Sequence, residues 1–148
     1  MNPLFPTTSS KTVEQSGTIP YRASEDGIRV LLVTSRSKGS WIFPKGTIEN
    51  GFSSVETAEK ETFEEAGVRG RIHLKPAGDY RYRKNGKAHR VCLYWLEVVE
   101  ELSVWPEPDR QRRWADWDEA VRLVGYKTLK IMMETAKKPW EREATGES

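Results

Sequence analysis

Apolar residues in this chain come in short β-branched runs before residue 52 and again between 71 and 99, while the segments at 53–67 and beyond 114 repeat with a helical period. Residues 28–34 (Ile-Arg-Val-Leu-Leu-Val-Thr) have the composition of a buried strand. A first strand is expected over 12–21 and a short third one over 41–43, stopped by Pro44 and Gly46, with a loop over 47–52. Residues 71–82 alternate poorly and read as one strand with a bend; 90–99 carries the strongest strand signal. Between these two, Lys84-Asn85-Gly86 marks a hairpin turn. Helices are expected over 117–123 and 126–137, broken at Gly125. Strands on both sides of one central helix, then helices at the end, predict an α/β sandwich around a mixed sheet.

The central helix is the most informative segment. Ser53 and Glu56 form a Ser-x-x-Glu capping box, and Gly67 is placed to end the helix in a left-handed cap. At about 100° per residue, Val55, Ala58, Thr62 and Ala66 share one side, small or β-branched as close packing on a sheet requires. Glu61, Glu64 and Glu65 fall together on a different side. Three neighbouring carboxylates repel one another, and they sit near the helix C-terminus, where the macrodipole disfavours negative charge. Both costs are relieved by a hard cation, and oxygen ligands of this kind suit Mg²⁺ or Mn²⁺. A solvated acidic face is the alternative reading of the same residues.

Composition narrows the setting. A length of 148 residues suits one domain, expected over 12–138 with tails at 1–11 and 139–148. A net charge of +2 gives no global field for a nucleic acid and argues against a long nucleic-acid footprint. The single cysteine, Cys92, lies in an apolar run, forms no internal disulfide and reads as a buried inert thiol. No run of about 18 apolar residues offers a membrane span, and 1–11 lacks the pattern of a secretory signal. A cytoplasmic location is the default expectation. Trp105 and Trp140 serve either a core or a dimer contact, so a monomer and a homodimer are both open. Basic side chains recur at Arg22, Arg36, Lys38, Lys45, Arg81, Arg83, Lys87, Arg90, Arg110, Arg112 and Arg113, a supply suited to phosphate binding.

Residues 46–68 resemble the Nudix box, Gly-x5-Glu-x7-Arg-Glu-U-x-Glu-Glu-x-Gly-U with U a bulky aliphatic: Gly46, Glu61, Glu64, Glu65, Gly67 and Val68 match as they stand. Phe52 stands at the first Glu position, Lys60 at the Arg position and Thr62 at the aliphatic one. The Glu and Arg that Phe52 and Lys60 replace are thought to brace the family's loop against its helix, so their joint change points to another brace. The resemblance implies a Nudix-type α/β/α sandwich and metal-dependent cleavage of a phosphoanhydride. It makes Glu61, Glu64 and Glu65 the catalytic carboxylates and, with the Gly46 carbonyl, the metal ligands.

Gly17 to Arg22, Ser35-Arg36, Lys87-Ala88-His89-Arg90 and Arg112-Arg113-Trp114 further resemble the diphosphoinositol-polyphosphate phosphohydrolase branch, which is associated also with diadenosine polyphosphates. Carried over by position, Arg22, Arg36, His89 and Arg113 contact substrate phosphates, and Lys45 is counted with them. An RNA 5′-pyrophosphohydrolase and an ADP-ribose or nucleotide pyrophosphatase are alternatives within the family. A non-catalytic binding module is an alternative of another class.

Overall fold

In the computed structural model, residues 11–136, 138 and 139 are described. Trp140 and nearly all of the two expected tails lie outside the described residues. The elements run β1 Val13–Ser24, β2 Gly27–Thr34, β3 Trp41–Ile42, β4 Lys45–Thr47, α1 Ser54–Ala66, β5 Val68–Lys84, β6 Lys87–Glu101, β7 Arg112–Asp116, α2 Trp117–Leu123 and α3 Lys127–Thr135.

The sheet is mixed. β1 and β6 pair in parallel, from Val13 against His89 to Tyr21 against Glu97, and the other pairings are antiparallel. β2 alternates as a strand covered on both faces should. Val30 and Leu32 join Ile19, Leu93 and Trp95 under Leu129, Met132 and Met133 of α3. Leu31 and Val33 join Ile42, Leu96 and Val98 under Ala66 at the end of α1. Helices therefore cover both faces, the α/β/α order expected from the sequence.

The expected hairpin is present: Asn85 and Gly86 both have positive φ, 52° and 76°, the geometry that an Asn-Gly turn supplies. The expected bend in β5 is a set of register shifts against β6 between Arg69 and Gly78. Two strands depart from the sequence reading. β4 lies where a proline and a glycine predicted a stop, because Lys45, Gly46 and Thr47 borrow backbone partners from β1. β7 lies where its charged residues gave no strand signal, because it pairs along β2. Cys92 is half-buried rather than fully buried, and burial still pushes its thiol up from the ordinary range.

Between β1 and β2 the sheet is bridged by the 41–47 segment: β3 pairs with β2 and β4 with β1. That crossing sets Gly46 opposite Ser16 and brings it under α1.

α1 starts and stops as its sequence dictates. The capping box is formed, and Gly67 closes the helix with φ 68°. A Cβ on Gly67 would also press on Trp105 at 2.8 Å. The face turned to the sheet is more polar than expected. Thr62 shares a hydrogen bond of 2.7 Å with Thr18, which accounts for a threonine at an aliphatic motif position. Ser16 donates to the Ser54 carbonyl at 2.6 Å. Thr57 is buried there, whereas Val55 is only partly covered.

Candidate active site

The three glutamates leave α1 in its last two turns. Glu61 faces Gly46 so closely that a Cβ there would overlap its carboxyl carbon, so only glycine admits that carboxylate against the strand. Glu64 is partly exposed. Lys60 bridges the pair, its Nζ 3.3 Å from Glu61 and 3.4 Å from Glu64. Glu65 differs from the expected common acidic side: it is 4% exposed and turned inward. Its Oε1 accepts from the Lys45 backbone N–H at 3.2 Å, and its Oε2 lies 3.5 Å from Arg110. Burial pushes the Glu65 carboxyl up to about 8, against the pull of Arg110 and of the Lys45 amide.

Glu65 opens onto a cleft of about 120 Å³ lined by Arg36, Lys45, Lys84, Arg110, Tyr82 and Tyr126, among others. The Lys45 ammonium donates to the Tyr82 hydroxyl at 2.8 Å. Tyr82 in turn donates to Gln15 at 2.7 Å. Burial lowers the Lys45 pKa, opposed by Glu65 and assisted by Arg110. His89 stacks on Tyr82 with ring centroids 4.7 Å apart, and Tyr82 stacks on Tyr126 at 4.9 Å.

The segment between β6 and β7, together with the first residue of β7, ties the helix to the cleft. Trp105 donates to the Glu65 carbonyl, the Glu107 amide to the Glu64 carbonyl, Arg112 to the Ala66 carbonyl and the Leu102 amide to the Gly67 carbonyl. The carbonyls that a helix end leaves without intrahelical partners are thus all taken. Glu107 also holds Arg110 at 2.8 Å and stands 3.6 Å from Arg36, while Asp109 binds Arg36 through two hydrogen bonds.

Of the sequence-predicted residues, the structure brings Arg36, Lys45 and Glu65 to the cleft, sets Gly46 and Glu61 together beside it, and places His89 behind Tyr82. Arg22 and Arg113 are not brought to it. Arg22 pairs with Glu101 and covers the Trp114 ring, five residues along β1 from the Gly17–Lys45 pairing. Arg113 is held by Glu119 of α2. Tyr82, Tyr126, Gln15 and Glu107 escaped the sequence reading. Arg110 appeared there only as one basic residue among many. The pairing of β5 with β6 that carries Tyr82 inward was the one usable signal.

Against this geometry the family model described as NUDIX domain matches residues 16–139. The chain belongs to the Nudix family. Among its relatives is Nudix hydrolase 16, mitochondrial, of Arabidopsis thaliana, 34% identical over 149 residues that cover 86% of this chain and 81% of the relative. Diphosphoinositol polyphosphate phosphohydrolase 3-beta of Bos taurus is 30% identical over 107 residues, covering 70% and 64%. In fold the Nudix domain is similar to an Ap4A hydrolase of C. elegans, with TM-score 0.68, 22% identity and 84% and 95% of the two chains covered. It is also similar to a MutT protein from Methanosarcina mazei, with TM-score 0.65, 19% identity and 91% and 96% covered. The protein is a Nudix pyrophosphohydrolase, of a family that is generally divalent-metal dependent and acts on small-molecule substrates.

The carboxylates suit such a metal in part. Glu61 and Glu64 already address one cation, the Lys60 ammonium, and a nearby positive charge would offset the burial that pushes the Glu65 carboxyl up. Among the described residues no group of three or more His, Cys, Asp or Glu side chains is arranged as a metal site; Glu61 and Glu64 are paired with Lys60, and Glu65 with Arg110. Among the described residues, no helix is long and apolar enough to cross a membrane.

Proposed function

We propose that this pyrophosphohydrolase cleaves a phosphoanhydride bond in a polyphosphorylated small molecule of the diphosphoinositol polyphosphate or diadenosine polyphosphate type, with Mg²⁺ as its metal. The reading is carried by one observation: Arg36, Lys45, Lys84 and Arg110 line a single cleft beside Glu65. A cleft walled by guanidinium and ammonium groups concentrates multiply charged anions, and guanidinium forks bind phosphate oxygens in pairs. Both arginines are oriented in advance by Glu107 and Asp109, so less conformational freedom is lost on binding.

Glu61, Glu64 and Glu65, with the Gly46 carbonyl, are the residues that would hold the metal, whose chemistry here is to neutralise phosphate oxygens and acidify water. Around it the protein's own groups fix the substrate. Lys45 is held in place by Tyr82, so its ammonium meets a phosphate without reorganising. Tyr82 and Tyr126 give the cleft an apolar wall that thins the water around those charges.

A panel decides the matter. The protein is incubated with Mg²⁺ and diadenosine polyphosphates, inositol pyrophosphates, ADP-ribose, nucleoside triphosphates or 5′-triphosphorylated RNA, and phosphate or nucleotide release is followed. Turnover concentrated on the first two is the expected result. Turnover confined to RNA or to ADP-ribose overturns the substrate assignment, and none on any substrate favours a binding module.

A further inference from the structure

Two residues that depart from the family motif, Phe52 and Lys60, meet in space. The Lys60 ammonium lies 3.3 Å from Glu61, 3.4 Å from Glu64 and 5.8 Å from the centroid of the Phe52 ring. The three contacts coexist, so two carboxylates and one aromatic face form a single seat for the ammonium. Each contact has its own physical basis: the i,i+4 pairing with Glu64 is a helix-surface ion pair, and the ring attracts a cation through its quadrupole. Phe52 is 44% exposed, so its ring stands at the surface beside the ammonium. Its backbone N–H bonds to the Glu49 carbonyl at 3.1 Å, which fixes the loop that aims the ring at the helix.

We propose that Lys60, seated by Phe52, is a resident competitor for the carboxylates of Glu61 and Glu64 and thereby sets the divalent-metal affinity of the site. The inference rests on the reading of those glutamates as metal ligands. A lysine bound to them through one charge is displaced by a cation of higher charge, and the work of displacement is subtracted from the metal's affinity. Lys60 is a positioning residue in this scheme: it acts on the metal through two glutamates. Phe52 acts one step further out, by holding Lys60 where it competes. A side chain that merely supported the helix would move stability and leave the metal isotherm unchanged.

The test is calorimetric titration of Mn²⁺ and Mg²⁺ into the full chain, without substrate, alongside thermal unfolding. Lys60→Gln is expected to tighten metal binding on the order of three- to tenfold, the scale of losing two exposed ion-pair contacts. Phe52→Leu, with Lys60 in place, is expected to tighten it by about twofold, the low end for an exposed cation–π contact. In the Lys60→Gln background, Phe52→Leu is expected to change nothing, because its only route to the metal is gone. Lys60→Arg should keep the wild-type affinity more closely than Lys60→Gln does. Binding by the wild type with no tightening in Lys60→Gln overturns this inference alone. Equal effects of Phe52→Leu in the two backgrounds remove Phe52 from it. Absence of binding in wild type and variants overturns the metal assignment and this inference together.

Discussion

The indole N–H of Trp105 donates to the backbone carbonyl of Glu65 at 3.1 Å. A side chain between β6 and β7 thus holds the very turn of α1 from which the buried glutamate projects. The same indole lies under the Arg112 guanidinium, 3.8 Å from the ring centroid, and against Gly67. Trp105→Phe removes the hydrogen bond and keeps most of the packing. Its expected cost is about 1 kcal/mol in denaturant unfolding, with a fall in kcat from a less fixed Glu65. Unchanged unfolding would show that the bond contributes nothing.

Glu64→Gln and Glu65→Gln are each expected to lower kcat by a factor on the order of 10² or more, with circular dichroism unchanged. Glu65→Gln keeps an oxygen for the Lys45 amide and replaces the ionisable oxygen that faces Arg110 with an amide that carries no charge. Persistence of turnover in both variants would show that the catalytic carboxylates lie elsewhere.

The arginines separate by place. Arg36→Ala and Arg110→Ala are expected to raise KM more for heavily charged substrates than for lightly charged ones, since both line the cleft. Arg22→Ala and Arg113→Ala are expected to leave KM near the wild-type value, because their partners are Glu101 and Glu119. Steady-state kinetics on substrates of two charge classes checks this, and a large KM effect from Arg113→Ala would place the binding surface differently.

Thr18 and Thr62 are expected to be non-additive. Either change to Val strands a buried hydroxyl and costs about 1–3 kcal/mol, whereas the double change removes both groups and costs much less than the sum. A double-mutant cycle by urea unfolding measures the coupling, and simple additivity would mean that the bond of 2.7 Å carries no energy.

Much of this was legible in the chain because local chemistry and tertiary context agree. Ser53, Glu56 and Gly67 specify their helix by capping alone, and Asn85-Gly86 specifies its turn. The glutamates were legible by spacing, but their separate fates were not. Helical periodicity groups Glu65 with Glu61 and Glu64, yet Arg110 and the Lys45 amide turn Glu65 inward. Those partners come from residues 45 positions downstream and 20 upstream, beyond any local pattern. β4 and β7 stayed hidden for the same reason, since their strand character is borrowed from β1 and β2.

The parallel pairing of β1 with β6 joins positions more than seventy residues apart. A chain emerging from the ribosome therefore lacks the central neighbour of β1 until β6 has followed it out. The 41–47 crossing and α1, which carry Lys45, Gly46 and the glutamates, are made before that neighbour arrives, whereas Arg110 and Tyr126 follow it. Loop-closure entropy over such a span slows folding relative to hairpin-built sheets, and until then the apolar face of β1 is exposed to association with other chains. Nascent chains cut before residue 97 are expected to be captured by chaperones or to aggregate, not to form a smaller version of the domain.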